Sequence, residues 1–268
     1  MLGLRIGLTR VAFFIPEGGA FAPRPYARSP WSAEMLHGRL LAGLAAREVE
    51  RGHLDGGFRV ARLTVDLFVA VPMQPVVVRS ERVRDGKRVR AVDVVVTCGD
   101  RTVARATALL LVAPGDPPGR VWGRPPWGAP DPSALDSPPR TPEADAMGAP
   151  EMRFIGRPLG GPGPYEAWLR EPWPLVDGEP LTPVVRAVIA ADVTNPLSNW
   201  GDEGLHYINA DLTVYFSRPP VGEWIGLEVT DHLDADGTGI GQSRLHDALG
   251  PFAVVVVGAV AQAFGARQ

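Results

Sequence analysis

The stretch ARLTVDLFVAVP, residues 61 to 72, is met again as ADLTVYFSRPPV, residues 210 to 221, and the two align without a gap. Ala61, Leu63, Thr64 and Val65 match Ala210, Leu212, Thr213 and Val214 at a separation of 149 residues, about one domain. The surroundings repeat as well. Upstream of the first copy lies HGRLLAGLAAREVERG (37 to 52). Leu36, Leu40, Leu41 and Leu44 share one face there, Arg47, Glu48, Glu50 and Arg51 point away, and a stop is expected near Gly52. Downstream come three strand-like runs, VVVRSERV, RVRAVDVVVT and RTVARATALLLV, parted by RDGK and CGDR. The second copy is followed by WIGLEVTDHL, TGIGQSRLHD and PFAVVVVGAV, broken at DADG and ALG. Asp-Gly and Gly-Asp pairs are hairpin signals. AFFIP and MRFIGRP are candidates for one further strand ahead of each helix. Each half is then a helix with an antiparallel sheet, an α+β unit made twice.

The helix of the second half is TPVVRAVIA, residues 182 to 190. Thr182 suits its N-cap and Pro183 its first position. Val185, Val188, Ile189 and Asp192 fall on one face at helical spacing, so an apolar face ends in a carboxylate. Helix C-termini disfavour acids by roughly 0.3–1 kcal/mol, so a purely structural role gains little. Desolvation would raise the pKa of such an acid and neighbouring donors would lower it, and sequence leaves the balance open. Between the halves runs APGDPPGRVWGRPPWGAPDPSALDSPPRTPEADAMGAP, too rich in proline for sheet or helix. It is expected to cross the surface, pinned by Trp122 and Trp127.

A formal charge of −3 over 268 residues gives no nucleic-acid surface. A single cysteine, Cys98, excludes an internal disulfide and a Cys-rich zinc site. No run approaches the ~20 apolar residues of a membrane span. VAFFIP is short for a signal core and no A-x-A site follows, so the expected location is cytoplasmic. His37, His53, His206, His232 and His246 lack metal spacing such as HExxH. The run at Gly241-Gln-Ser-Arg-Leu lacks the last glycine of a nucleophile elbow. Gly237-Thr-Gly-Ile-Gly-Gln fails the dinucleotide fingerprint and sits in a hairpin. Arg82, Arg84, Lys87, Arg88 and Arg90 read as a solvated sheet edge or as a lure for phosphates.

SPWSAEMLHG, LTVDL, AADVTNPLSNW and ADLTVYFSRPPVGEW, in this order and spacing, resemble the thioesterase-like proteins related to acyl-CoA thioesterase II. Those are double hot-dog proteins, in which a sheet wraps a long central helix twice in one chain. The resemblance implies an N-terminal hot-dog over 1–112, a linker over 113–150 and a C-terminal hot-dog over 151–268. It implies hydrolysis of acyl-CoA or related thioesters, with no metal or redox cofactor. Asp192 falls on the family's catalytic Asp and Asn209, in HYINADLTV, on its strand partner. The family's Gln falls on Val257 or Gly258, neither of which can hydrogen-bond through a side chain; Gln262 lies four or five residues late.

Other residues are candidates for the substrate. His37 and Gly38 open the first helix, where N–H groups suit an oxyanion or a CoA phosphate; equally, Gly38 lets helix and sheet approach and His37 is a cap. Asn199 and Trp200 line the pocket or only close the loop after the second helix. The missing Gln keeps a catalytically weak acyl-binding protein open as an alternative. A hot-dog hydratase or dehydratase ranks third, because no His lies within ten residues of Asp192. FAVVVVGAV is apolar at both alternate sets of positions, which predicts self-association at least to a dimer.

Overall fold

The structure, a computed structural model, describes residues 11–112, 114–139 and 141–262. The first half opens with a hairpin of β1 (Phe14–Glu17) and β2 (Ala20–Pro23), one strand more than the sequence pattern predicts. α1 (Gly38–His53) follows, then β3 (Phe58–Leu67), β4 (Val76–Asp85), β5 (Val89–Cys98) and β6 (Arg101–Val112). The proline-rich stretch holds, among its described residues, a 3-10 turn and the short α2 (Pro142–Ala146), contrary to the expectation of no helix there, because Thr141 caps it and Pro142 sits in its first turn, and after it come β7 (Glu151–Ile155) and β8 (Glu166–Arg170). α3 (Pro183–Ala191) runs into α4 (Thr194–Asn199). A small hairpin, β9 (Trp200–Gly201) and β10 (Gly204–Leu205), leads to β11 (Tyr207–Asn209) and β12 (Asp211–Phe216). β13 (Trp224–Ala235), β14 (Thr238–Asp247) and β15 (Gly250–Ala261) complete the second half.

The sheets of the two halves join edge to edge into one antiparallel sheet, in the order β1-β2-β4-β5-β6-β3-β12-β15-β14-β13-β8-β7. The seam is β3 against β12, the two copies of the repeat. Thr64 pairs with Thr213, Leu63 with Val214 and Val65 with Leu212. Thr64 and Thr213, 149 apart, are thus equivalent residues that face each other, and a pseudo-twofold axis runs between them, where their hydroxyls hydrogen-bond at 3.1 Å. Each repeat copy exposes an unpaired edge if alone; pairing the copies satisfies both edges and gives no reason for the sheet to close into a barrel.

α1 and α3 lie antiparallel inside this sheet. At one end Thr182, the N-cap of α3, donates to Glu50 late in α1, and Arg47 Nε holds Glu179 at 2.6 Å. At the other end the start of α1 approaches Asp192. Gly43 makes the close crossing possible: a Cβ there would lie 2.9 Å from Ile189 Cγ1. Leu36, Leu40, Leu41 and Leu44 are buried against the sheet, as their spacing predicts. Arg39, on the opposite side of α1, forms a fully buried ion pair with Glu171, gives a second guanidinium N–H to Gly148 O at 2.8 Å and sits over the Phe13 ring. Removing either partner would strand a buried charge, so the pair ties the second half and the chain before β7 onto α1.

The proline-rich stretch behaves unevenly. Trp127 packs on Trp168 and His246 in a notch where Gly226 has no side chain, and its indole N–H reaches Glu166 at 3.1 Å. Trp122 does not pin the stretch, contrary to expectation: it is 84 % exposed. The glycine in β13 supplies a notch for one of the two tryptophans only.

Candidate functional site

The second helix is not continuous, and the reason is Pro196. A proline has no N–H to give to the carbonyl four residues back, and its ring collides with that carbonyl. Four residues back is Asp192. α3 therefore ends with Asp192 as its C-cap, and α4 restarts two residues on. Asp192 O accepts instead from Asn195 N, at 3.1 Å. The break fixes the carboxylate at the bend between two helices, pointing inward and 6 % exposed.

Asn209, on β11, donates from Nδ2 to Asp192 Oδ1 at 2.6 Å. The structure thus brings together two residues that sequence placed seventeen apart. Burial pushes the Asp192 carboxyl up from the ordinary 3.8, and the Asn209 hydrogen bond and the nearby Arg39 cation pull the other way without prevailing. Desolvation outweighs the donors because one hydrogen bond and a cation already paired to Glu171 replace a full hydration shell.

The other side chains named from sequence lie at the start of α1 and in a cleft beside α4. His37 is the N-cap of α1, accepting through Nδ1 from Arg39 N at 3.5 Å. Desolvation first, and Arg39 second, hold its pKa well below the usual histidine value, so the ring is neutral and can accept. Gly38 lies against Leu67 of β3, where a Cβ would sit 2.9 Å from Leu67 Cδ1 and push that side-chain end aside. Both residues therefore carry the structural duties foreseen for them, at a helix end directed to the Asp192 side.

On β15 the side chains of Val255, Val257 and Ala259 face the helices and are buried. Gly258 faces outward, where a Cβ would lie 2.6 Å from Asp211 Oδ1. The inner neighbours of Asn209 are then Ala259, directly across from it, and Val257 one step along the same face. Neither has a polar side chain.

Asn199 and Trp200 line a cleft of about 470 Å³ between α4, the curled end of β13 and residues 162–164. Asn195, Ser198, Tyr207, His232 and Asp234 join them in a polar cluster that the sequence reading does not single out. Asn195 Nδ2 donates to Tyr207 O at 3.0 Å, Asn199 Nδ2 to Asn195 Oδ1 at 2.7 Å, and Asn199 Oδ1 faces His232 Nδ1 at 2.8 Å. A β-bulge explains how His232 enters. Before it, Ile225, Leu227 and Val229 point inward; the register shifts between Val229 and Asp231, and afterwards His232 and Asp234 stand opposite Gly241 and Gly239 of β14. Those glycines leave the space that Ser198 and the Tyr207 ring fill. The sequence signals were a His-x-Asp pair in a strand and two alternating glycines in its partner, legible only once the bulge is known. Among the described residues no cluster of three or more His, Cys, Asp or Glu side chains is disposed to hold a metal ion.

A twice-built sheet wrapping two antiparallel helices, with a buried Asp at the end of the second, defines a double hot-dog protein. The family models agree half by half: the acyl-CoA thioesterase N-terminal domain matches residues 27–111 and the C-terminal domain residues 115–257. The chain belongs to the acyl-CoA thioesterase family and is a thioesterase-type hydrolase of acyl-thioester substrates. Among solved structures it is similar to the tesB protein of Mycobacterium avium subsp. paratuberculosis, at 18 % identity and a TM-score of 0.69 over 94 % of this chain and 95 % of that one. The acyl-CoA thioesterase II TesB2 of Mycobacterium marinum matches at 19 % identity and 0.65, over 84 % and 90 %. A conserved hot-dog protein of unknown function from Alicyclobacillus acidocaldarius matches at 14 % and 0.71, over 92 % and 95 %. At these identities the likeness is one of fold. No curated protein sequence matches significantly. Among the described residues, no helix is long and apolar enough to cross a membrane.

Proposed function

We propose that the protein hydrolyses acyl-CoA or a related thioester with water handled by Asp192. The observation that carries this reading is the Asn209–Asp192 hydrogen bond, 2.6 Å long, made by a carboxyl that burial leaves more basic than usual. A base serves best when its pKa approaches the working pH. Asp192 takes a proton from water as the oxygen attacks the thioester carbonyl. Asn209 uses one amide hydrogen to hold Asp192, and its carbonyl oxygen remains to accept from the same water. The oxyanion is received at the N-terminus of α1 by the Gly38 N–H, since the neighbouring His37, Arg39 and Leu40 N–H groups go to Ala27 O, His37 Nδ1 and His37 O. Collapse of the tetrahedral intermediate breaks the carbon–sulfur bond, and protonated Asp192 returns its proton to the departing sulfur, so that the carboxylic acid and the free CoA thiol are released and the carboxylate is regenerated.

An apolar Val257 in place of the family's amide removes one donor or acceptor from this set and argues for slow turnover. It also keeps the second reading, an acyl-binding protein with little catalysis. A hydratase finds less support: His232 is turned to Asn199 and forms no pair with Asp192. We assign the two hot-dog units to 1–112 and 151–268 with 113–150 connecting them, a cytoplasmic location, and a dimer or higher oligomer. Free-thiol release from acyl-CoAs spanning acetyl to palmitoyl tests the function. Release by wild type and its loss in Asp192→Asn is the expected result; binding without release by wild type would establish the acyl-binding reading instead. Light scattering at micromolar concentration tests the assembly, and a monomer refutes it.

A further inference from the structure

The polar cluster beside the cleft has a direction, and a backbone carbonyl sets it. Tyr207 O can only accept, so Asn195 must present Nδ2 to it. Asn195 then turns Oδ1 to Asn199, which must answer with Nδ2. That leaves Asn199 Oδ1 facing His232, whose Nδ1 must therefore carry a proton. On the other side of the ring, Nε2 faces Asp234 Oδ1 at 3.1 Å. A carboxylate also only accepts, so the arrangement is satisfied in full when both ring nitrogens are protonated. Every donor in the row, His232 to Asn199 to Asn195 to Tyr207, points the same way, and such rows polarise one another.

The row ends at the catalytic pair. Tyr207 and Asn209 share the three-residue β11, which hangs on β15 by its own short ladder. Asn195 is bound at both ends: its N–H goes to Asp192 O and its side-chain amide to Tyr207 O. Asp192, Asn195, β11 and Asn209 thus close a ring, in which Asn195 ties the bend between α3 and α4 to β11 while β15 holds β11 from its other side. We propose that His232 is a positioning residue for thioester hydrolysis, locking Asn199 and Asn195 so that β11 keeps Asn209 on Asp192. The inference rests on the reading of Asp192 as the group that handles water.

The test is steady-state thiol release from the same acyl-CoA panel by wild type, His232→Ala, His232→Gln, Asn199→Ala, the His232→Ala/Asn199→Ala double variant and Asp192→Asn, with melting temperatures alongside. His232→Ala should lower kcat about 3- to 10-fold, the worth of one hydrogen bond, with KM within twofold. The double variant should lose no more than the worse single variant, because both act through one row. His232→Gln, which can still donate to Asn199, should restore kcat. Imidazole nitrogen NMR of the wild type should show the Nδ1 of His232 carrying a proton. Wild-type kcat in His232→Ala, with Asp192→Asn inactive, would overturn the positioning role and leave the proposed function standing, whatever the melting temperature does. A His232 lacking its Nδ1 proton would overturn it as well. Full activity in Asp192→Asn, or no release by wild type from any acyl-CoA, would overturn both.

Discussion

Asp192→Asn separates a catalytic carboxylate from a structural one, because the two roles predict opposite changes in stability. The substitution is nearly isosteric, and Asn209 Nδ2 can still donate to the remaining carbonyl oxygen, so the 2.6 Å contact has a neutral successor. What disappears is the charge. In the folded protein burial raises the Asp192 pKa above its ordinary 3.8. The folded state then holds this proton more tightly than the unfolded chain, and stability falls as pH rises from about the ordinary value through the raised one. Below that window Asp192 is protonated in both states and costs nothing. Above it, wild type carries a buried charge with incomplete partners, a burden on the order of 1–3 kcal/mol. Asp192→Asn should therefore melt higher than wild type at pH 7, by roughly 2–4 °C per kcal/mol for a chain of this size, and the gain should vanish near pH 4. Meanwhile thiol release should fall by about 10²–10⁴-fold, the usual contribution of a general base, with little change in KM. Scanning calorimetry at pH 4, 5, 6 and 7 and steady-state kinetics make the measurement. A variant that is less stable than wild type at pH 7, or equally active, would refute the reasoning.

Asn209→Ala should cut kcat by about 10-fold or more, since its bond is to a charged group, and should move the acid limb of the rate profile to higher pH, because the donor that favours the ionised Asp192 is lost. Val257→Gln should raise turnover by restoring an amide on the inner face of β15, whereas Gly258→Gln should not, its side chain being directed outward against Asp211; kinetics on the two variants side by side decide it. Gly43→Ala should lower stability by about 1–3 kcal/mol through overpacking against Ile189, beyond any gain of roughly 1 kcal/mol in helix propensity, and urea titration would show it as an earlier midpoint.

The sequence by itself determined the repeat, the two long helices and most of the strands, since each is written in local spacing, but not the short α2 in the proline-rich stretch or α4 after Asp192. ARLTVDLFVAVP and ADLTVYFSRPPV mark their own equivalence, and β6 and β14 begin and end where alternation and the flanking turns put them. Asp192 was legible for the same reason: an acid closing an apolar helical face breaks a local rule. Tertiary structure decided what those segments do to one another. That the two repeat copies pair across a pseudo-twofold axis at Thr64 and Thr213 follows from edges that only the assembled halves possess. The direction of the Asp192 pKa was settled by the balance of burial, Asn209 and Arg39, three quantities set by different elements. His232 shows the limit most clearly. Read by simple alternation from Leu227 and Val229, it belongs on the outer face with Glu228; one extra residue at the bulge shifts the count, and every later side chain of β13 changes side. The bulge is a property of β13 against β14, so no inspection of β13 alone reveals it.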